Sequence, residues 1–178
     1  DIYFLAEGAI NRHHEEGILD IKTKHNIVSS EIGVAVKNGS NLYDISSLES
    51  FKDTLISSKS IGYAASASGI YLANTVFPKI FNDPDVIFKK SKKILSERVG
   101  SVILRGDIEI GFQQYSELLP IKGINIMGML PKEIRKPFIF GSAMSNNSTS
   151  EPIYTKLIEF IKHNDIQKLI TNSGLKVL

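Results

Sequence analysis

"SIGYAASASGIYLANTVF", residues 60–77, changes character halfway along. It opens as a short apolar run, passes through Ala64, Ala65, Ser66, Ala67 and Ser68, and continues with apolar residues at helical spacing. The stretch reads as strand, tight turn, helix. In an open α/β sheet, ligands sit at the carboxyl ends of strands, and a helix that starts there turns unpaired N–H groups and its positive dipole end toward them. Small residues let an anion approach that backbone, and the hydroxyls of Ser66 and Ser68 add donors. The plainer use of either serine is an N-cap. A second start, Ser96-Glu97-Arg98-Val99-Gly100, allows a similar wall. Two helix starts aimed at one point would favour an oxyanion or carboxylate site more than either start alone.

The whole chain sets the bounds. With 178 residues and 42% hydrophobic residues it can bury a core in one domain or two small lobes. A net charge of +2 with scattered lysines is not a nucleic-acid surface, and the run Lys89, Lys90, Lys92, Lys93 reads as a solvated face. The absence of cysteine excludes disulfides and thiolate chemistry. No apolar run approaches the ~20 residues that span a bilayer. The opening "DIYFLAE" reads as a buried strand from residue 2, with no initiator methionine and no polar lead-in. We therefore expect a fragment or processed product, with an upstream part that includes a secretion signal.

Helices and strands take turns along the chain. "EGAINRHHEEGIL" (7–19) predicts a helix closed by Gly17, and "HNIVSSEIGVAVKNG" (25–39) a strand pair or one bent strand. "ISSLESFKDTLISS" (45–58) predicts a helix capped by Ser46 or Ser47, with Leu48, Phe51 and Leu55 as its apolar stripe. "VIFKKS" (86–91) predicts a strand, "SERVGSVILRGD" (96–107) a helix capped by Ser96, and "IEIGFQQ" (108–114) a further strand. "KPFIFGSAMS" (136–145) predicts a strand. "IYTKLIEFIKHN" (153–164) follows as a helix with Ile153, Leu157, Phe160 and Ile161 on one face, and a last helix is capped by Asp165 and stopped by Gly174. Alternation of this kind implies a largely parallel sheet with helical crossovers.

Other candidates read as structural. His13 and His14, adjacent on a helix, point about 100° apart and cannot chelate one ion together. Glu97 and Arg98 pair with each other or with a ligand, or are simply exposed at a helix start. Tyr63, Tyr71 and Tyr115 read as packing residues, and Asp107 and Glu109 as one wet strand edge. No nucleophile elbow, metal-ligand spacing or glycine-rich phosphate fingerprint is present. No catalytic residue, metal or cofactor is expected.

"SIGYAASASGIYLANTVFPKI", then "SERVGSVILRGDIEIGFQQYSELLPIKGINIMGMLPKEI" and a strand–helix ending, resembles the periplasmic substrate-binding proteins of molybdate-type ABC transporters. More closely, it is similar to a poorly characterised branch with the signature here spanning Gly106 to Pro120. "DIYFLAEGAI" resembles the strand and helix that close the first half of the family's lobe one, and "SEIGVAVKNG" its crossing strand. The resemblance implies a two-lobed, type II periplasmic-binding-protein α/β fold with mixed, mostly parallel sheets flanked by helices. Residues 38–137 would form lobe two, and 1–37 with 138–178 an incomplete lobe one. It also implies a cleft that closes on a small oxyanion, with Ser68, Ser96 and Gln114 at the family's contact positions beside Ser66. Two further serine-bearing segments of the family have no counterpart and would lie upstream of Asp1. The characterised molybdate binders carry Tyr where Gln114 stands, so the carboxamide departs from their pattern.

Three functions are carried forward. The resemblance implies a periplasmic or extracellular solute-binding protein that delivers an oxyanion to an ABC transporter permease. The same fold serves as the ligand-sensing domain of transcription regulators, which would require a helix-turn-helix upstream. An enzyme on this scaffold is the third class, with no residue set to name. A lobe lacking strands would expose sheet edges, so self-association of this chain is expected.

Overall fold

The computed structural model describes residues 1–178. In chain order the elements are β1 (Ile2–Ala6), α1 (Glu7–Glu15), β2 (Leu19–Ser30), β3 (Ile32–Lys37), α2 (Leu48–Ser57), β4 (Ile61–Ala64) and α3 (Ala67–Tyr71). A π-helical turn (Leu72–Val76) joins α3 to α4 (Phe77–Ile80), and α5 (Asp85–Phe88), β5 (Ser91–Ile94), α6 (Val99–Arg105), β6 (Ile110–Gln114) and α7 (Tyr115–Leu118) follow. The chain ends with β7 (Ile124–Met129), β8 (Phe138–Ser145), α8 (Glu151–Ile161), α9 (Asn164–Asn172) and β9 (Lys176–Val177). They divide into two compact units, Asp1–Ser30 with Phe138–Leu178, and Glu31–Pro137.

The first unit is built on a sheet of order β1-β8-β2-β9, antiparallel throughout. Successive side chains of a strand point to opposite faces, and β8 shows the consequence. Ala143 joins Ile10 of α1 and Leu19 in one apolar cluster, while its neighbour Met144 joins Tyr154 and Ile158 of α8 in another. The buried Tyr154 hydroxyl donates to the Thr23 carbonyl at 2.9 Å and accepts from Ser142 Oγ at 2.7 Å, so burial leaves it no lost hydrogen bond. The inward stripe of α8 is therefore Tyr154 and Ile158 flanked by the half-buried Leu157 and Ile161; the expected face members Ile153 and Phe160 are exposed.

The second unit carries a mixed sheet of order β5-β4-β6-β3-β7. β4 runs parallel to both β5 and β6, whereas β3 is antiparallel to β6 and β7. Val99, Val102 and Ile103 of α6 pack with Ala35, Ile108 and Leu118. Aromatic edges fill other parts of the core: Phe51 of α2 meets Phe112, and Phe77 meets Tyr63 and Phe88. α2 begins with a reciprocal capping box between Ser47 and Ser50, and α6 ends at Gly106, whose φ of 83° suits a residue without Cβ.

Three expectations are corrected here. The sheets are not mostly parallel, because alternation predicts a crossover only when consecutive strands share a sheet. β2 and β3 do not, nor do β7 and β8, and only the β5-β4-β6 triplet is parallel. Residues 31–37, expected in the first lobe, supply β3 between β6 and β7 in the second unit. Residues 86–88, expected as strand, are helix α5: Pro84 occupies its N-cap, Ile87 is buried, and the strand starts at Ser91. A three-residue apolar run carries too few periods to separate the two readings.

Gly69 fixes how α3 meets β4. A Cβ at this position would overlap the Ala64 carbonyl oxygen and crowd the Tyr63 ring. Gly69→Ala gains about 1 kcal/mol of helix propensity, but the overlap is with backbone and costs about 1–3 kcal/mol or more. We expect net destabilisation, read as a lower urea midpoint; an unchanged or higher midpoint would show that α3 is free to move off β4.

Candidate functional site

The parallel strands β4, β5 and β6 all end on one side of their sheet, at Ala64, Ile94 and Gln114. Carboxyl ends of parallel strands are where α/β sheets leave room for ligands. A cavity of about 540 Å³ opens there, lined after β4 by Ala64 to Ser66, after β5 by Ile94 to Arg98, and at β6 by Gln113 and Glu117.

Each wall follows from local sequence. Ser66 occupies the N-cap position of α3 in extended conformation, but its hydroxyl makes no capping bond. It pairs instead with Ser68 Oγ at 3.2 Å. Ala65 N–H is spent on the Ile94 carbonyl at 2.8 Å, which ties the turn after β4 to the end of β5. Ser66 is exposed in the cavity wall and Ser68 is fully buried behind it.

The wall after β5 differs from the sequence expectation. α6 starts at Val99, so Ser96 does not cap it and Glu97 is not in its first turn; both lie in the segment leading to the helix. Arg98 occupies the N-cap position without capping. The first helical N–H, that of Val99, is satisfied by the side-chain oxygen of Gln113 at 2.8 Å. With its oxygen committed, the Gln113 carboxamide turns its NH2 to Glu117 Oε2. Glu97 receives a two-pronged bond from Arg105, at 2.7 and 2.9 Å, which holds its carboxyl below the usual range.

Of the four expected site residues, the structure brings Ser66 and Ser96 to one cavity and ties Ser68 to Ser66. Gln114 is not in the cavity lining. Pleat alternation puts Gly111 and Gln113 on the α6 face and Phe112 and Gln114 on the opposite face, where α3 packs on β4 and β6. Gln114 is 2% exposed, and neither atom of its carboxamide has a partner. Sequence reading missed Gln113 and Glu117, which line the cavity. The signal for Gln113 was the two-residue period running from Gly111, the glycine that lets α6 lie on β6.

The remaining candidates have structural partners. His13 Nδ1 meets Glu16 and His14 Nδ1 meets the Leu19 carbonyl. No group of three or more His, Asp and Glu is placed to hold a metal ion. Asp107 bonds Arg105, while Glu109 accepts from Tyr43, whose phenol is pushed up to about 12 chiefly by that bond, and from the Lys59 N–H. Tyr63 packs on Phe77, and Tyr71 donates to the Ile134 carbonyl at 2.9 Å.

Comparison with known proteins adds four findings. A family of bacterial extracellular solute-binding proteins matches residues 1–176. Aconitate isomerase of a Pseudomonas species is 33% identical over 176 residues, covering 99% of this chain and 67% of that protein. Among solved structures, the periplasmic molybdate-binding protein of Azotobacter vinelandii superposes with TM-score 0.70 at 12% identity, over 98% of this chain and 77% of that one. Peb3, known from Campylobacter jejuni, superposes in its L-phospholactate-bound form with TM-score 0.71 at 9% identity, over 99% and 79%. These likenesses show the fold, that of the periplasmic binding proteins.

Gln113 is the joint of the cavity wall. Gln113→Leu leaves the Val99 N–H without its acceptor and Glu117 without its donor, so we expect a loss of about 1–3 kcal/mol in chemical denaturation. Unchanged stability would mean that α6 does not depend on this cap.

Proposed function

This chain belongs to the bacterial extracellular solute-binding proteins, and from that premise we propose that it captures a small anion at the carboxyl ends of β4, β5 and β6 and delivers it to an ABC importer. The permease is then its partner, and its place is outside the cytoplasm, in the periplasm or beyond. The observation that carries this reading is the 540 Å³ cavity with Ser66 and Ser96 in its walls and the starts of α3 and α6 beside it. Serine hydroxyls and helix-start N–H groups bind anions with neutral donors. Two features of the second unit support it. Ser66 makes no capping bond, so apart from its contact with Ser68 its hydroxyl is left to face the cavity, and Ser96 in the wall after β5 caps no helix. Among oxyanions, a molybdate-like tetrahedral ion suits such donors; the names of the compared proteins span molybdate, phospholactate and aconitate, all anionic.

Calorimetric titration of the full-length protein with molybdate, tungstate, sulfate and small carboxylates tests this. We expect binding of an anion, weakened about 10- to 100-fold by Ser66→Ala and by Ser96→Ala, the loss of a hydrogen bond to a charged group. Tight anion binding untouched by both serine changes would defeat the site, and binding of an uncharged solute alone would defeat the anion.

A second reading, isomerisation of a bound acid, is favoured by the aconitate isomerase similarity and by the carboxylate of Glu117 in the cavity wall. Incubation with cis- or trans-aconitate followed by proton NMR separates the two. Interconversion that Glu117→Gln abolishes would establish an enzyme, and binding without conversion leaves a carrier.

A further inference from the structure

The charged groups of the cavity are unequally engaged. Three charged side chains line it: Glu97, Arg98 and Glu117. Both oxygens of Glu97 are taken by Arg105, which also holds Asp107. Glu117 accepts from Gln113, whose orientation is set by its bond to Val99 N–H. Arg98 alone of the three makes no ion pair and no side-chain hydrogen bond, although it is exposed beside the pocketed serines. A guanidinium held at the mouth of a concave site, with its acidic neighbours already committed, is available to a ligand.

Size narrows the class of that ligand. A cavity of about 540 Å³ falls within the ~300–1,000 Å³ of sites that take organic molecules. A four-oxygen metallate fills little of it. The planar fork of Arg matches a carboxylate with two parallel N–H donors, a geometry that lysine cannot supply. Glu117 adds a sign constraint, because a compact inorganic dianion has no uncharged part to turn toward it, whereas an organic acid does.

Resting on the reading of this cavity as the ligand site, we propose that its ligand is a small organic carboxylate and that Arg98 is the residue that anchors the carboxylate. Ser66 and Ser96 then bond the ligand's remaining oxygens, and Arg98 decides between organic acids and inorganic oxyanions.

The test uses the full-length protein, with trans-aconitate, tricarballylate, molybdate and sulfate as probes in calorimetric titration. Wild-type protein should bind one of the two tricarboxylates at least ~10-fold more tightly than either inorganic ion, a difference of about 1.4 kcal/mol. Arg98→Ala should weaken that binding by ~10- to 100-fold, the range for a charge-assisted hydrogen bond. Arg98→Lys, which keeps the charge and loses the fork, should recover only part of it. Arg98 is exposed, so circular dichroism of the variants should match wild type. Tighter binding of molybdate than of either tricarboxylate, an Arg98→Ala protein that binds them unchanged, or full recovery by lysine would each overturn the proposal. If Ser66→Ala and Ser96→Ala weaken binding while Arg98→Ala does not, only the role of Arg98 falls. If none of the three changes matters, the cavity is not the site and both readings fall together.

Discussion

The geometry of the second unit depends on how closely helix α3 can approach the end of strand β4. Gly69 lies against the Ala64 carbonyl, where a single methyl group would collide with backbone. That approach puts the start of α3 over the carboxyl edge of the sheet. It also holds Ser66 and Ser68 within hydrogen-bond reach of each other. The Ala65 N–H to Ile94 carbonyl bond adds β5 to the same corner, so the turns after two neighbouring parallel strands share one wall. A bulkier residue at 69 would push the helix outward and open the wall, however well the serines themselves were kept.

A second constraint is the accounting of backbone donors at α6. A short helix that starts without a capping Ser, Thr, Asp or Asn leaves its first N–H groups to find partners elsewhere. Gln113 supplies one from a different element, across the sequence distance from residue 113 to 99. This makes the helix start rigid with respect to β6 and commits Glu117 as well. The cavity wall is thus fixed by the two ends of the Gln113 carboxamide, and Glu97 beside it is spent on Arg105. Strong hydrogen bonds from neutral donors are sufficient to hold a buried anion, which is why the scarcity of lysine in the wall does not argue against one.

The strand, small-residue turn and helix of residues 60–77 were legible because three signals agreed: an apolar run, consecutive small residues, and helical spacing after them. The cap of α2 was legible for the same reason, and Ser47 takes it. Strand direction was not legible. The chain passes from one unit to the other after Ser30 and after Pro137, and nothing local in β2–β3 or β7–β8 marks that the sheet has changed. Ser96 read as a cap because it precedes an acidic residue and an apolar run, yet the helix begins three residues later and takes its cap from a distant strand. Tertiary partners of that kind leave no trace in spacing.

The two adjacent glutamines of β6 show how far a one-residue difference reaches. Gln113 faces α6 and has both ends of its carboxamide bonded; Gln114, one step along the pleat, faces the other way and has neither. A buried amide without partners costs about 1–3 kcal/mol relative to a satisfied one. Leucine in the same volume would avoid that cost, so the carboxamide is not explained by packing. It lies on the face where α3 packs on β4 and β6, away from the cavity lining. Gln114 thus lies outside the cavity lining, and only Gln113 of the pair shapes the wall that a ligand would meet.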